Sequence, residues 1–269
     1  MRSVSGRRLK MLAQVPCVLA LSSAAHADDK LYVRAGIGRV QPIVSSREME
    51  LSGVDGPASL AIENGPIAGS GADVSGATIP AIIVGYSVTP KWSIETILGL
   101  PLDVKFKATG TLATQSIAPM AEGNIPTGVP PLGTELGEAK AVPPVVTAVY
   151  HFKHVGPLAP YAGVGAAMIF AYDAKVTNPV LTEISMPTMK VDPAPGFVMQ
   201  GGLDMRVWKR VHARLDVKFI AGMLASATVE GIVVRTPGLP AFDHAEVGTA
   251  KMSAWLNPLI VQFGIGVDL

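Results

Sequence analysis

The chain has 269 residues, 49% of them hydrophobic and only 16% charged, with a formal net charge of +1 and a mean hydropathy of +0.38. No stretch after residue 27 approaches the roughly 20 unbroken apolar residues of a spanning helix, so a helical membrane protein is excluded. A chain this apolar with no such helix is what alternating strands produce, and its length suits one all-β domain with long loops.

Residues 1–27 read as an export signal that is removed. Arg2, Arg7, Arg8 and Lys10 form a basic start, "MLAQVPCVLAL" an apolar middle, and Ala25-His26-Ala27 a small-residue cleavage site. Cleavage would take four of the 22 basic residues and none of the 21 acidic ones, leaving a formal charge of −3 and no basic patch for nucleic acid. It would also remove Cys17, the one cysteine, so packing and strand pairing have to supply stability without a disulfide. Gln14-Val15-Pro16 ahead of Cys17 is a poor lipoprotein site.

Residues 28–269 form the expected single domain. "LYVRAGIGRV" (31–40) alternates Leu31, Val33, Ala35 and Ile37 against Tyr32, Arg34, Gly36 and Gly38. A Gly-, Ser- and Pro-containing segment runs to about residue 76. Then "ATIPAIIVGYSV" (77–88) and "WSIETILGLPLDVKFKA" (92–108) read as a pair joined by Thr89-Pro90-Lys91. In the second, Trp92, Ile94, Leu98, Leu100, Leu102, Val104 and Phe106 share a face opposite Ser93, Glu95, Gly99, Asp103 and Lys105. A loop is expected over about 109–140, then "PPVVTAVYHF" (143–152) and "LAPYAGVGAAMIFAYD" (158–173) flank a short turn. A third loop (174–193) precedes "GFVMQGGLDMRVW" (196–208), which turns at Lys209-Arg210 into "VHARLDVKF" (211–219). After a fourth loop around "RTPGLPAFDHAE", the chain closes with "MSAWLNPLIVQFGIGVDL" (252–269).

Residues 211–219 alternate without a fault, Val211, Ala213, Leu215, Val217 and Phe219 against His212, Arg214, Asp216 and Lys218. Such a strand fits either a soluble sandwich, charges in water, or a membrane barrel, charges inside. The connections decide between them. They alternate long and short, as in an outer-membrane barrel whose short turns share the periplasmic rim and whose long loops share the outer one. Trp92 and Trp208 sit beside short turns, where a periplasmic aromatic girdle belongs. Val261, Phe263, Ile265, Val267 and Leu269 take every second place to the end, as in a barrel-closing strand recognised by the assembly machinery. The expected fold is therefore an all-β, eight-stranded antiparallel transmembrane β-barrel with short periplasmic turns and long extracellular loops.

Several motifs also resemble the OmpW family of small outer-membrane proteins: "LYVRAGIGRVQP", "GYSVTPKWSIETILGLP", "VPPVVTAVYHF" with "LAPYAGVGAAMIFAYD", and "LNPLIVQFGIGVDL". The most specific part is Pro143-Pro144, Tyr150-His151-Phe152 and Pro160 to Gly165. The loops are longer and richer in proline than the family's, and Leu269 stands where an aromatic is usual. The resemblance implies a bacterial outer-membrane barrel with a narrow interior that lets small hydrophobic molecules enter or cross.

Parity turns His212, Arg214, Asp216 and Lys218 inward with Arg34, Glu95, Asp103, Lys105, Asp204 and Arg206. Five firm cations then face four anions, the near-balance a closed interior requires. Eight strands leave room for little beyond their own side chains. The network is either an ionic plug that fixes register or a polar conduit. With the lower interior plugged, an apolar solute would leave sideways from the upper strand ends, around Leu102, Met168 to Phe170 and Met223 to Leu224. Pro101, which cannot donate to a ladder, marks a possible lateral gap there.

No enzyme is expected. Catalysis on lipid would need a nucleophile and base at the outer rim; there only His244 stands beside Asp243, and no serine motif accompanies it. Gly163-Val164-Gly165 precedes no helix signal and is no nucleotide loop, and no spacing suggests a metal site or cofactor. The expected partners are outer-membrane lipid, a small hydrophobic solute and the barrel-assembly machinery. The alternative function is a structural or surface-binding barrel whose loops engage a partner. A secreted lipophile carrier is disfavoured by the ionic interior.

Overall fold

The structure, a computed structural model, describes residues 30–269. The segment expected to be an export signal, residues 1–27, lies outside the described residues. Eight strands close a ring: β1 (Leu31–Gln41), β2 (Ala77–Ser87), β3 (Trp92–Gly99), β4 (Val145–His151), β5 (Leu158–Val176), β6 (Ala194–Trp208), β7 (Val211–Ala221) and β8 (Leu259–Asp268). Each pairs antiparallel with its neighbour in sequence, and β1 pairs with β8 as well as β2. Closure leaves the ring without an edge, the condition under which strands can stand in hydrocarbon.

The short connections, residues 88–91, 152–157 and 209–210, share one rim. The segments expected to be long loops differ from the expectation, because much of their length is strand. Glu135–Val142, Thr188–Val191, Met223–Arg235 and His244–Leu256, with the shorter Val44–Ser46, Glu50–Ser52 and Ser70–Val74, continue the wall upward as a collar, together with Leu102–Gly110, the outer part of the strand expected over 92–108. What remains irregular is chiefly 111–134 and the ends at 53–64, 177–187 and 236–243, with short helical turns at Gly56–Leu60, Thr111–Thr114, Pro179–Thr182 and Pro240–Phe242.

Ring and collar have opposite polarity. In the ring, Ile37, Ile94, Leu98, Val146, Phe197, Leu215 and Phe263 point outward, and the charges point in. In the collar the inner face is apolar, with Leu136, Met189, Val229, Ile232, Val247 and Met252 buried in one cluster. Its outer face carries charge in cross-strand pairs: Asp103 opposite Lys140, Lys105 opposite Glu138, and Lys107 opposite both Glu135 and Asp73. Opposite charges facing each other across a ladder stabilise a solvated sheet surface by a few tenths of a kcal/mol, up to about 1 kcal/mol each.

The switch falls at one level, and seven of the eight strands break there. The breaks are at Pro42, Ser75-Gly76, Leu100-Pro101, Pro143-Pro144, Asp192-Pro193, Gly222 and Asn257-Pro258, while β5 runs through. Proline lacks the ladder N–H, and Gly222 takes a positive φ of 76°, a left-handed backbone suited to glycine. Four breaks also slip the chain by one residue. Along β3 the inward positions are Ser93, Glu95 and Ile97; beyond Pro101 they are Leu102, Val104 and Phe106. Because side chains alternate with a period of two, a one-residue slip exchanges the two faces.

A charge placed on the ring's outer wall should therefore be costly and one removed from the collar's outer wall should not. Phe263→Arg is expected to destabilise by about 2–4 kcal/mol, the cost of an arginine on the lipid face near the bilayer midplane. Lys105→Ala is expected to stay within about 0.5 kcal/mol. Equilibrium urea unfolding in lipid bilayers measures both.

Candidate functional site

The inward residues of the ring converge on Arg214 of β7, which is 2% exposed. Its guanidinium lies 2.8 Å from Glu95 Oε1 on β3, 3.6 Å from Asp204 Oδ2 on β6 and 3.4 Å from Asp216 Oδ2 on its own strand. It also stacks 4.1 Å above the centroid of the Tyr161 ring on β5. Gln200 bridges two of the acids, donating from Nε2 to Glu95 Oε2 at 2.8 Å and Asp216 Oδ2 at 2.7 Å. The Tyr161 hydroxyl donates to Asp216 at 2.7 Å, and Lys218 Nζ contacts the other Asp216 oxygen. The Tyr32 hydroxyl donates to Glu95 Oε1 at 2.7 Å and stands 2.8 Å from Ser93 Oγ, which is 2.9 Å from His151 Nε2.

A second layer closes toward the short-turn rim. Arg34 Nη2 donates to Asp268 Oδ1 at 2.7 Å, and His212 Nε2 lies 2.8 Å from Asp268 Oδ2. Below them opens a mouth of about 720 Å³ lined by Arg34, His151, Lys153, Asp204, Arg206 and His212, among others. Isolated buried charges are expensive, and this cluster meets the cost by giving Arg34, Arg214 and Lys218 an equal number of deeply buried carboxylates, Glu95, Asp204 and Asp216.

Space for the two tyrosine rings comes from glycine on neighbouring strands. A Cβ at Gly85 would lie 2.1 Å from Tyr32 Cζ, and one at Gly202 would lie 2.1 Å from the Tyr161 hydroxyl oxygen. β2 thus adds to the cluster by leaving room for it.

Of the ten residues expected in the network, Arg34, Glu95, Asp204, His212, Arg214, Asp216 and Lys218 come together. Asp103 and Lys105 do not: the slip at Pro101 puts them on the collar's outer wall. Arg206 is exposed at the mouth rather than inside, one register step from where β6 bulges before Trp208. The sequence reading left out Tyr32, Ser93, His151, Tyr161, Gln200 and Asp268. The signal for four of them was parity: Tyr32 is two residues from Arg34, Ser93 two from Glu95 and Gln200 four from Asp204, and Asp268 alternates with the outward Val267 and Leu269.

Trp92 and Trp208 point outward at the short-turn rim, 47% and 68% exposed. Trp92 packs edge-on against Tyr150, and Tyr150 against Phe152, with centroids 5.1 Å apart in each pair. Val261, Phe263, Ile265 and Val267 face outward along β8, and Leu269 N donates to Leu31 O beyond its end.

Above the ionic cluster lies an apolar layer, Val145, Val198, Ile220, Met223 and Ile260. Above that the collar holds three apolar cavities in series. The innermost, about 110 Å³, is lined by Val40, Leu102, Val104, Ala141, Ala194 and Ala254, among others. The next, about 30 Å³, lies among Met49, Leu136, Met189, Val229 and Ile232. The outermost, about 20 Å³, lies under the loops among Ala58, Ile62, Val129, Val234 and Phe242.

Pro101, the residue expected at a lateral gap, is exposed where β3 gives way to the collar. The β2–β3 ladder ends at Ala81 opposite Gly99 and resumes at Val74 opposite Phe106. Between them, Ser75 N donates to Lys105 O and Lys105 N to Ser75 Oγ, both at 3.1 Å. Pro80 and Pro101 lie within that interval, and neither has an N–H. Ser75, Ala77, Leu102 and Val104 on its two sides line the innermost cavity.

A closed ring of eight strands with this turn pattern also meets an independent comparison: the family model described as "OmpW family" matches residues 27–268. The chain belongs to the OmpW family. Among solved structures, this OmpW-family barrel is similar to the crystal structure of outer membrane protein OprG from Pseudomonas aeruginosa. That match has a TM-score of 0.65 at 19% identity, covering 88% of this chain and 94% of the other. Outer membrane protein AlkL, determined in DMPC bilayers, gives 0.52 at 17% identity, covering 96% of each chain. A curated relative, the dibenzothiophene metabolism operon protein PahQ of Pseudomonas aeruginosa, is 21% identical over 213 residues, 79% of this chain and 81% of its own. The protein is thus an outer-membrane β-barrel of the OmpW type, and its short-turn rim is the periplasmic one.

Inward and outward charges should answer differently to substitution. Glu95→Ala leaves Arg214 short of a partner in a closed interior and is expected to destabilise by about 3–5 kcal/mol. Asp103→Ala, on the collar's outer wall, is expected to cost no more than about 0.5 kcal/mol. Urea titration of the two refolded variants, followed by tryptophan fluorescence, reads the difference.

Proposed function

We propose that this protein admits small apolar molecules from the cell exterior into the collar and releases them sideways into the outer membrane. The observation that carries the reading is the order of layers inside the wall: apolar cavities above, an apolar layer and a paired ionic cluster below. Apolar surface in the collar receives such a solute at a gain of about 25 cal/mol per Å² buried. Below it, every step toward the periplasm would displace packed side chains and then paired charges, so the cluster acts as a plug rather than a conduit. The opening left for an apolar solute is the interval between β2 and the strand after Pro101, where the cavity wall lacks a continuous ladder.

The relatives support the reading without carrying it. PahQ's name places that protein in a dibenzothiophene metabolism operon, and dibenzothiophene is a small apolar solute of the kind proposed. The N-terminal segment, residues 1–27, serves as the export signal in this scheme, and the outward β8 face serves insertion by the assembly machinery. The barrel is a passage rather than an enzyme, with lipid around the ring and the solute as its partners.

Uptake of a panel of small hydrophobic compounds by a deletion strain, with and without the gene restored, tests the passage once heat-modifiable migration shows the folded barrel in the membrane fraction. Uptake is expected to fall on deletion and return on restoration. Unchanged uptake with folded barrel present would overturn the reading in favour of a surface-binding barrel acting through its loops. Pro101→Val, which restores an N–H to the interval, is expected to lower uptake toward the deletion strain's level. Full uptake in that variant would remove the lateral gap from the scheme.

A further inference from the structure

The two inner cavities of the collar share one lining residue, Met252. It stands on the inner face of His244–Leu256, 7% exposed. Its surroundings are small. Ala250 and Ala254 precede and follow it on the same face, and Ala227 is its cross-strand partner, all three buried. A thioether on three rotatable bonds, flanked above, below and beside by methyl groups, is an adaptable side chain between the two spaces. The next constriction outward is of a different kind, because Ile117 and Val247 both line the second and third cavities and are branched and stiff at χ1.

The volumes say what Met252 must do. A cavity of about 150 Å³ is known to hold benzene, so the innermost space, about 110 Å³, is close to the size of a single ring. The second space, about 30 Å³, is far below it. A ring can move from one to the other only if the side chain between them gives way. Met49 and Met189 line the second space with Met252, and three thioethers favour an aromatic ring through sulfur–aromatic contacts.

We propose that Met252 is the moving neck of the collar and its selectivity-determining residue, passing flat single-ring apolar solutes and holding back globular ones. This rests on the reading of the collar as a solute passage. Selection here is by cross-section rather than by hydrophobicity: a flat ring needs the methionine to swing once, whereas a rigid cage needs Ala227, Ala250 and Ala254 to yield as well.

Toluene and adamantane are suitable probes, both apolar, one flat and one globular. Their uptake is measured in the deletion strain restored with wild type, Met252→Ala or Met252→Phe, each confirmed as folded by heat-modifiable migration. The wild type is expected to take up toluene well above the empty-vector control and adamantane poorly. Met252→Ala should raise the adamantane-to-toluene ratio several-fold, and Met252→Phe should cut toluene uptake several-fold. If either variant fails to fold, Met252→Leu, similar in volume but branched, should slow toluene while leaving the ratio low. Toluene uptake by the wild type with the ratio and rate unmoved in the folded variants would overturn the neck and leave the passage standing. A wild type that moves neither probe above the control would overturn the passage and the neck with it.

Discussion

The fold depends on the convergence of carboxylates from three strands on one guanidinium. Arg214 cannot be buried alone in a barrel lumen, and Glu95, Asp204 and Asp216 cannot be buried without it. Because those groups come from β3, β6 and β7, satisfying them fixes how strands far apart in the ring face each other. The tyrosines from β1 and β5 add hydrogen bonds at the same point. A shift of one residue in any of these strands would turn a charge toward lipid and a hydrophobic side chain into the cluster. Register, closure and the filling of the lumen are in this sense one problem with one solution.

The collar solves the reverse problem. Outside the bilayer the wall meets water, so charge belongs on its outer face and apolar surface on its inner face. The chain changes over by breaking nearly every strand at the same height, with proline and glycine supplying breaks that a regular ladder would resist. In several strands the break includes a one-residue slip, which exchanges faces without any change in the alternation of the sequence itself. The apolar interior that results is separated from the ionic one by a single layer built from Val145, Val198, Ile220 and Ile260.

This mechanism explains what could be read in the sequence and what could not. The eight ring strands, the short turns, the outward tryptophans and seven of the ionic residues were legible, because alternation within an unbroken strand determines which way a side chain points. Asp103 and Lys105 were misplaced because alternation was carried across Pro101, where proline was read as a gap and not also as a slip. Leu102–Gly110 lies almost wholly within the strand expected over 92–108, whereas other collar strands fall in segments expected to be loops, for a related reason. Glu135–Val142 and Thr188–Val191 alternate well enough, but they are short and their outward charges resemble loop composition, and their apolar faces become meaningful only once a second, water-surrounded wall is considered. Tyr32 and Ser93 were visible on the right faces but carry no formal charge, and a search for charge balance passes over the neutral groups that complete a buried network.

The belt of breaks has a consequence for how such a chain can change over time. An insertion or deletion above a break alters collar pairings only, since the ladders on either side of the break are set by separate contacts. β5 alone runs through that level as one unbroken strand. The protein is in effect two wall segments joined by interchangeable couplings, so the outer segment can be lengthened, shortened or relined by mutation while the membrane segment keeps its ionic centre and its depth in the bilayer.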